Sequence, residues 1–299
     1  MRLAVYALKG PNQATVVVLA FAGLSLFLPV VGLLSSATMA LVSLRKGMRE
    51  SLRVMVGAAV VVCVIGAALT GGFLIPLSYG ALMWLPPWLV ALILREMRQL
   101  SWALEAGDAL GMLAVALIYG LVSEPSMMWI ERFQRLLAPL AERAPGSELT
   151  QLQQIGAWFP PFLTGIVAAG SVSSLLISLL LARWWQARLF NPGGFAREFT
   201  LLRLHKAIHY LGFFLLIVAL VGSAGVSELF WNLLIVVSVL FVILGLSVVH
   251  RVLAARVARR FWLAGIYLLA LFVPQLLFPV ALLGFTDAWA DWRNRWSVG

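Results

Sequence analysis

Between Pro11 and Phe285 the chain alternates long apolar runs with short arginine-rich clusters, and no other feature limits its fold so strongly. Of 299 residues, 62% are hydrophobic and 11% charged, with a mean hydropathy of +0.98. A water-soluble globule of this length could not hide so much apolar surface, so lipid must solvate most of it. Runs of this length read as helices, and the expected fold is all-α: a polytopic transmembrane helix bundle of eight or nine spans.

The first run, about 14–44, would reach about 46 Å as one helix, beyond a hydrocarbon core of about 30 Å. Pro29 near its middle predicts two short helices, about 14–28 and 30–44, in a hairpin or partly re-entrant pair. A single long, kinked and tilted helix is the alternative. Further spans are expected at about 53–71, 73–94, 108–123, 158–182, 207–223, 229–250 and 261–284. Gly71 and Gly72 mark a tight turn. Small residues at Ser36 and Ala40, and at Gly57 and Gly66, are read as close-packing positions.

Most of the 22 basic residues gather in Arg45/Lys46/Arg49/Arg53, Arg95/Arg98, Arg183/Arg188/Arg197/Arg203/Lys206 and Arg251/Arg256/Arg259/Arg260. If the chain weaves as described, all share one side. Residues 124–157 on the other side carry more glutamates than arginines. The positive-inside rule then makes the N-terminus and the basic loops cytoplasmic and 124–157 external. "SMMWIERFQRLLAPLAERA" reads as an amphipathic helix lying on the membrane surface or capping the bundle, with Met128, Ile130, Phe133, Leu136 and Leu137 at helical spacing and charges between them. The polar piece "GSELTQLQQIGAWFPP" leads back to the membrane. Because the arginines punctuate apolar runs and form no stripe on a polar domain, a net charge of +10 does not predict nucleic-acid binding. The first run is too long for a signal-peptide h-region and is expected to be retained. Cys63, alone in an apolar run, reads as a packing residue.

Three stretches are distinctive: "LPVVGLLSSATMALVSLRKGMRESL", "RWWQARLFNPGGFAREFTLLRL" (Arg183 to Leu204) and "LLGFTDAWADWR" (Leu282 to Arg293). With them the chain resembles the YybS-like family of bacterial multipass membrane proteins over nearly its whole length. The N-terminal half of that family is similar to the substrate-binding (S) components of energy-coupling-factor vitamin transporters. There a Pro-containing second helix precedes a basic-Gly turn, as Leu28–Pro29 and Lys46–Gly47 do here. The resemblance implies a six-span bundle over 1–182 including the external segment, a basic cytoplasmic loop at 183–206, and three further spans with a short tail over 207–299. It departs from an S component in those three added spans and in lacking a vitamin-binding signature. It carries no activity over to individual residues.

Candidate chemistry is sparse. With a span at 108–123, every Asp and Glu falls in a loop or near a span end, which argues against a carboxylate relay and against intramembrane proteolysis. His205 and His209 have the spacing of a zinc pair but lack a nearby third ligand, so interfacial histidines are the simpler reading and no metal is expected. No P-loop or dinucleotide fingerprint is present; neither a cofactor nor an enzymatic activity is expected. "NPGGF" (Asn191 to Phe195) is a tight turn. Beside it, Arg188, Gly193, Gly194 and Arg197 are candidates for holding an anion or an anionic lipid headgroup. Gln275 lies between Pro274 and Pro279 in a run that a broken helix would interrupt, and it is the first candidate for lining a ligand cavity. Asn232, Trp84 and Trp88 are the others. The expected function is a small-molecule binding or transport component without its own ATPase, dependent on a membrane protein partner or energising module. The alternative is a membrane scaffold contacting lipid and partners through the basic loops.

Overall fold

A computed structural model of the chain describes residues 1–141, 158–255 and 258–296. The segment "GSELTQLQQIGAWFPP" falls mostly outside the described residues, as do Glu142, Arg143 and Arg256. Among the described residues there are fourteen α-helices and no strand. The all-α expectation is met.

A short α1 (Arg2–Ala7) precedes α2 (Pro11–Leu24). The chain then breaks over 25–31, where Pro29 opens a single 3-10 turn, and resumes as α3 (Gly32–Lys46). The first apolar run is therefore two helices, packed against each other. Pro29 lacks the N–H that would continue α2, and Leu28 before it is held out of the helical region. α3 is buried at every position from Ser35 to Leu44. Its small residues let α2 and the helices over Met48–Thr70, Leu74–Met97 and Pro160–Phe190 approach closely from several sides, which gives this short helix the central place.

α4 (Met48–Thr70) and α5 (Leu74–Met97) form a hairpin turned at Gly71, whose φ of 74° is left-handed and costs glycine little. Gly66 meets Pro76 so closely that a methyl group would overlap the proline ring. Only 11% of the apolar window of α4 is buried, and Val60, Val64, Ile65 and Leu69 face outward. Such a surface is stable against lipid tails and not against water. α5 stays helical through Pro86 and Pro87. Pro87 takes away the donor for the Met83 carbonyl, and the Ser36 hydroxyl replaces it at 2.8 Å.

α6 (Leu100–Leu121) starts eight residues earlier than the expected span. Leu100, Ala103, Leu104, Gly107 and Gly111 repeat at helical spacing and are buried, so tertiary contacts extend the helix past its polar residues. α7 (Pro125–Ala141) is the expected amphipathic helix, and its Trp129 donates to Thr164 at 2.8 Å. α8 (Pro160–Phe190) is about 46 Å long and carries Arg183 and Arg188 on its last turns. The basic stretch 183–206 is thus largely helical: the end of α8, a turn, then α9 (Gly194–Thr200). α10 (Lys206–Val221) and α11 (Ala224–Val252) follow.

The expected span at 261–284 is not one helix. α12 (Arg259–Phe272) and α13 (Leu277–Ala290) meet at a 120° bend. Val273 is extended, as a residue before proline prefers, and Pro274 cannot donate to the preceding turn. α13 folds back along α11, and α14 (Trp292–Arg295) ends the described chain.

Among the described residues, five helices are long and apolar enough to cross a membrane: α4, α5, α6, α8 and α11. The bent α12–α13 pair makes a sixth if it counts as one broken span, and α2 and α10 are shorter apolar helices. The multi-pass reading holds at that coarser count.

Candidate functional site

Two concave sites stand out, at opposite ends of α8. The first is a cavity of about 620 Å³ between the 25–31 break, α3, α5, α6 and the first half of α8. Its walls are mostly apolar, with hydroxyls from Ser36, Tyr79 and Thr164 among them. Ser25 bonds both to Tyr79 and to the Ala22 carbonyl, so the last turn of α2 is tied to α5 beside the cavity. Pro86, on the wall, leaves the Leu82 carbonyl without its i+4 donor. An apolar cavity of this size with a few convergent polar groups fits a small, largely apolar molecule.

The second site is a groove of about 700 Å³ formed by the last turns of α8, the 191–200 segment, the end of α11 and the start of α12. Ile177, Leu180, Leu181 and Phe199 form its floor. Trp184, Arg188, His250, Arg259 and Tyr267 stand around it, and among the described residues no acidic side chain lines it. Arg188 lies over the Trp184 ring, 5.6 Å from its centroid. His250 Nδ1 donates to the Leu246 carbonyl at 2.9 Å, and its ring packs edge-on to Phe199.

The residues singled out from sequence divide between these places and the packed core. Arg188 and Gly193 line the groove. Gly194 faces the Asn191 amide, and Arg197 is exposed without lining the groove. Trp84 is fully buried and donates to Ser35, whose hydroxyl continues to the Val18 carbonyl. Trp88 donates to Ser51 at 2.9 Å. Both indoles hold α5 against neighbouring helices. The Asn232 amide bridges two backbone groups of α8, accepting from the Gly165 N–H and donating to the Pro161 carbonyl. Those two groups are four residues apart, so the side chain stands where a peptide pair would bond. It also donates to Tyr119, which in turn donates to Glu228 at 2.7 Å. Gln275 is exposed in the turn between α12 and α13. Neither it, Asn232, Trp84 nor Trp88 lines either site.

Other charged groups lie where the sequence reading did not put them. Because α6 starts at Leu100, Glu105 and Asp108 are inside a helix that can span the membrane. Asp108 is 2% exposed and, among the described residues, makes no hydrogen bond or ion pair. The premise that carboxylates are confined to loops and span ends does not hold. Glu105 accepts from both the backbone N–H and Nδ1 of His205, at 2.8 and 2.7 Å. His209, one turn into α10, is buried among Phe241, Phe285 and Trp289. Among the described residues, no group of three potential metal ligands converges.

At the basic end, salt links tie the helices together. Arg183 and Glu198 bond at 2.8 Å and hold α9 beneath α8. Burial pushes the Glu198 carboxyl above its ordinary value, against the pull of Arg183. Arg95 donates to the Leu44 carbonyl at the end of α3, and Arg45 lies 3.7 Å over the Phe190 ring. Arg293 pairs with Asp287 and donates to the Leu202 carbonyl, while Arg203 pairs with Asp291. These contacts join the Arg183–Leu204 and Leu282–Arg293 stretches, two of the three distinctive ones.

Helix content, exposed apolar surface and span lengths define an all-α, multi-pass, membrane-embedded helical bundle. No known protein family, curated protein or solved structure matches this chain.

Proposed function

We propose that this protein is a small-molecule binding or transport component of a bacterial inner membrane, lacking its own ATPase and working with a membrane partner. The cavity beside the 25–31 break carries this reading, since a bundle serving only as a scaffold has no need of such a space. The break places non-helical backbone where it borders a cavity, which is how such backbone is tolerated at membrane depth. The resemblance read from the sequence, of a family whose N-terminal half is similar to transporter S components, suggests an energising partner. An eight- or nine-span count belongs to this proposal, with α2, α3 and α10 as short spans.

Native mass spectrometry of the detergent-purified protein tests the reading. A small molecule should remain bound, and Ala114→Trp, which fills the cavity from α6, should lower its retention about tenfold. Gln275→Leu lies outside the cavity and should leave retention unchanged. A protein that carries nothing under gentle conditions would favour the scaffold.

Orientation is tested separately. In a Cys63→Ala background, Glu131→Cys on α7 should react with an impermeant maleimide in intact cells. Ala196→Cys on α9 should react only after permeabilisation. The opposite pattern would invert the proposed topology.

A further inference from the structure

We propose that the groove at the basic end of α8 is a binding site for one anionic phospholipid, with its headgroup phosphate between Arg188 and Arg259 and an acyl chain along Ile177, Leu180 and Leu181. The site is independent of the cavity discussed above.

The charges argue for an anion. Arg188 and Arg259 both line the groove, and among the described residues neither has an acidic partner. Arg197, Arg251 and Arg260 also lack an acidic partner among the described residues but do not line the groove, whereas Arg183 is matched by Glu198, Arg203 by Asp291 and Arg293 by Asp287. Two unmatched guanidiniums bordering one apolar groove leave a positive potential that a phosphate would neutralise with bidentate hydrogen bonds. His250 adds a third nitrogen group: Nδ1 is engaged by the Leu246 carbonyl, which leaves Nε2 as the other ring nitrogen.

The shape argues that the anion carries a hydrocarbon tail. Arg188 is at the end of α8, and the groove runs back toward Ile177, eleven positions earlier, or about 16 Å along the helix. Its floor changes in that direction from cationic to aliphatic. Trp184 stands between the two zones along α8, four residues before Arg188 and three after Leu181, the position amphipathic rings take at the membrane–water boundary. A free inorganic phosphate would use the cationic mouth and leave the apolar floor empty. A phospholipid uses both, and basic pockets between membrane helices are a known form of headgroup recognition.

The test is competitive lipid retention on the full-length protein, read by native mass spectrometry from a non-ionic detergent with phosphatidylglycerol and phosphatidylcholine of matched chains. Phosphatidylglycerol should be preferred, and each of Arg188→Gln and Arg259→Gln should weaken that preference about fivefold. The double variant should erase it, while Arg197→Gln, at an exposed arginine outside the groove, should not. Ile177→Trp, which obstructs the aliphatic floor without changing charge, should lower retention of both lipids. Excess inorganic phosphate should not displace bound phosphatidylglycerol. Equal retention of the two lipids, a preference that survives the double variant, or displacement by phosphate alone would each overturn the proposal. If the double variant does not fold, Arg188→Gln decides the matter, because its exposed position at a helix end tolerates the change: an unaltered preference there refutes the site.

Discussion

Asp287→Leu should destabilise the protein by about 3–5 kcal/mol, the cost of leaving a buried guanidinium without its partner. Arg293 is 3% exposed and Asp287 5%, and they bond at 2.9 Å. Burial draws the Arg293 guanidinium below its ordinary value and the Asp287 carboxylate opposes that shift. The ordinary value is so high that the group stays charged. Arg293 also donates to the Leu202 carbonyl at 2.7 Å, so losing the pair loosens the link between α13 and the segment before α10. The double change Asp287→Leu with Arg293→Met should restore most of the loss, since an apolar pair of similar volume avoids desolvating two charges. Reversible unfolding in mixed micelles measures both. A single variant as stable as the parent would mean that water or headgroups reach the pair.

A second large effect is expected where α13 crosses α11. A Cβ at Gly245 would overlap the Val280 carbonyl, and one at Gly284 would overlap the Phe241 carbonyl and the Gly245 nitrogen. Both neighbours are backbone, so no rotamer change relieves the clash and the helices must separate. Between lipid-solvated helices, close packing drives association because hydrocarbon tails are as apolar as the side chains. Gly284→Val should cost about 3 kcal/mol, at the upper end for overpacking, and should expose α13 and α14 to limited proteolysis. Gly265→Ala on α12, where nothing lies within 4 Å, serves as the neutral comparison. Equal protection of the two variants would refute this crossing.

Both predictions concern features that a linear reading does not contain. Asp287 and Arg293 look like ordinary charges near a span end, and nothing in the local pattern says that Leu202 will close around them. Hydropathy alone starts a span at Asp108 and so leaves this carboxylate at a span end, whereas the helix begins at Leu100. The buried Leu100–Ala103–Leu104–Gly107 repeat is the signal that extends the helix, and it was available. Pro274 announced a break, but its geometry, a 120° reversal, depends on α11 offering α13 a glycine-lined track. The indoles of Trp84 and Trp88 and the amide of Asn232 are, from sequence alone, candidates for a ligand cavity. In lipid such groups are under equal pressure to find internal partners, and in the fold they have them.

Arginine and apolar runs were enough to indicate the solvent, the helical class and the amphipathic α7, because each follows from local composition and from backbone groups that must bond internally in hydrocarbon. Pro29 left one kinked helix or two open, and the packing of α2 against α3 decided for two. Where a cavity opens, which arginines go unmatched, and which small residues meet depend on contacts between helices far apart in the chain. Those contacts are set by three-dimensional packing, a property no single run of residues carries.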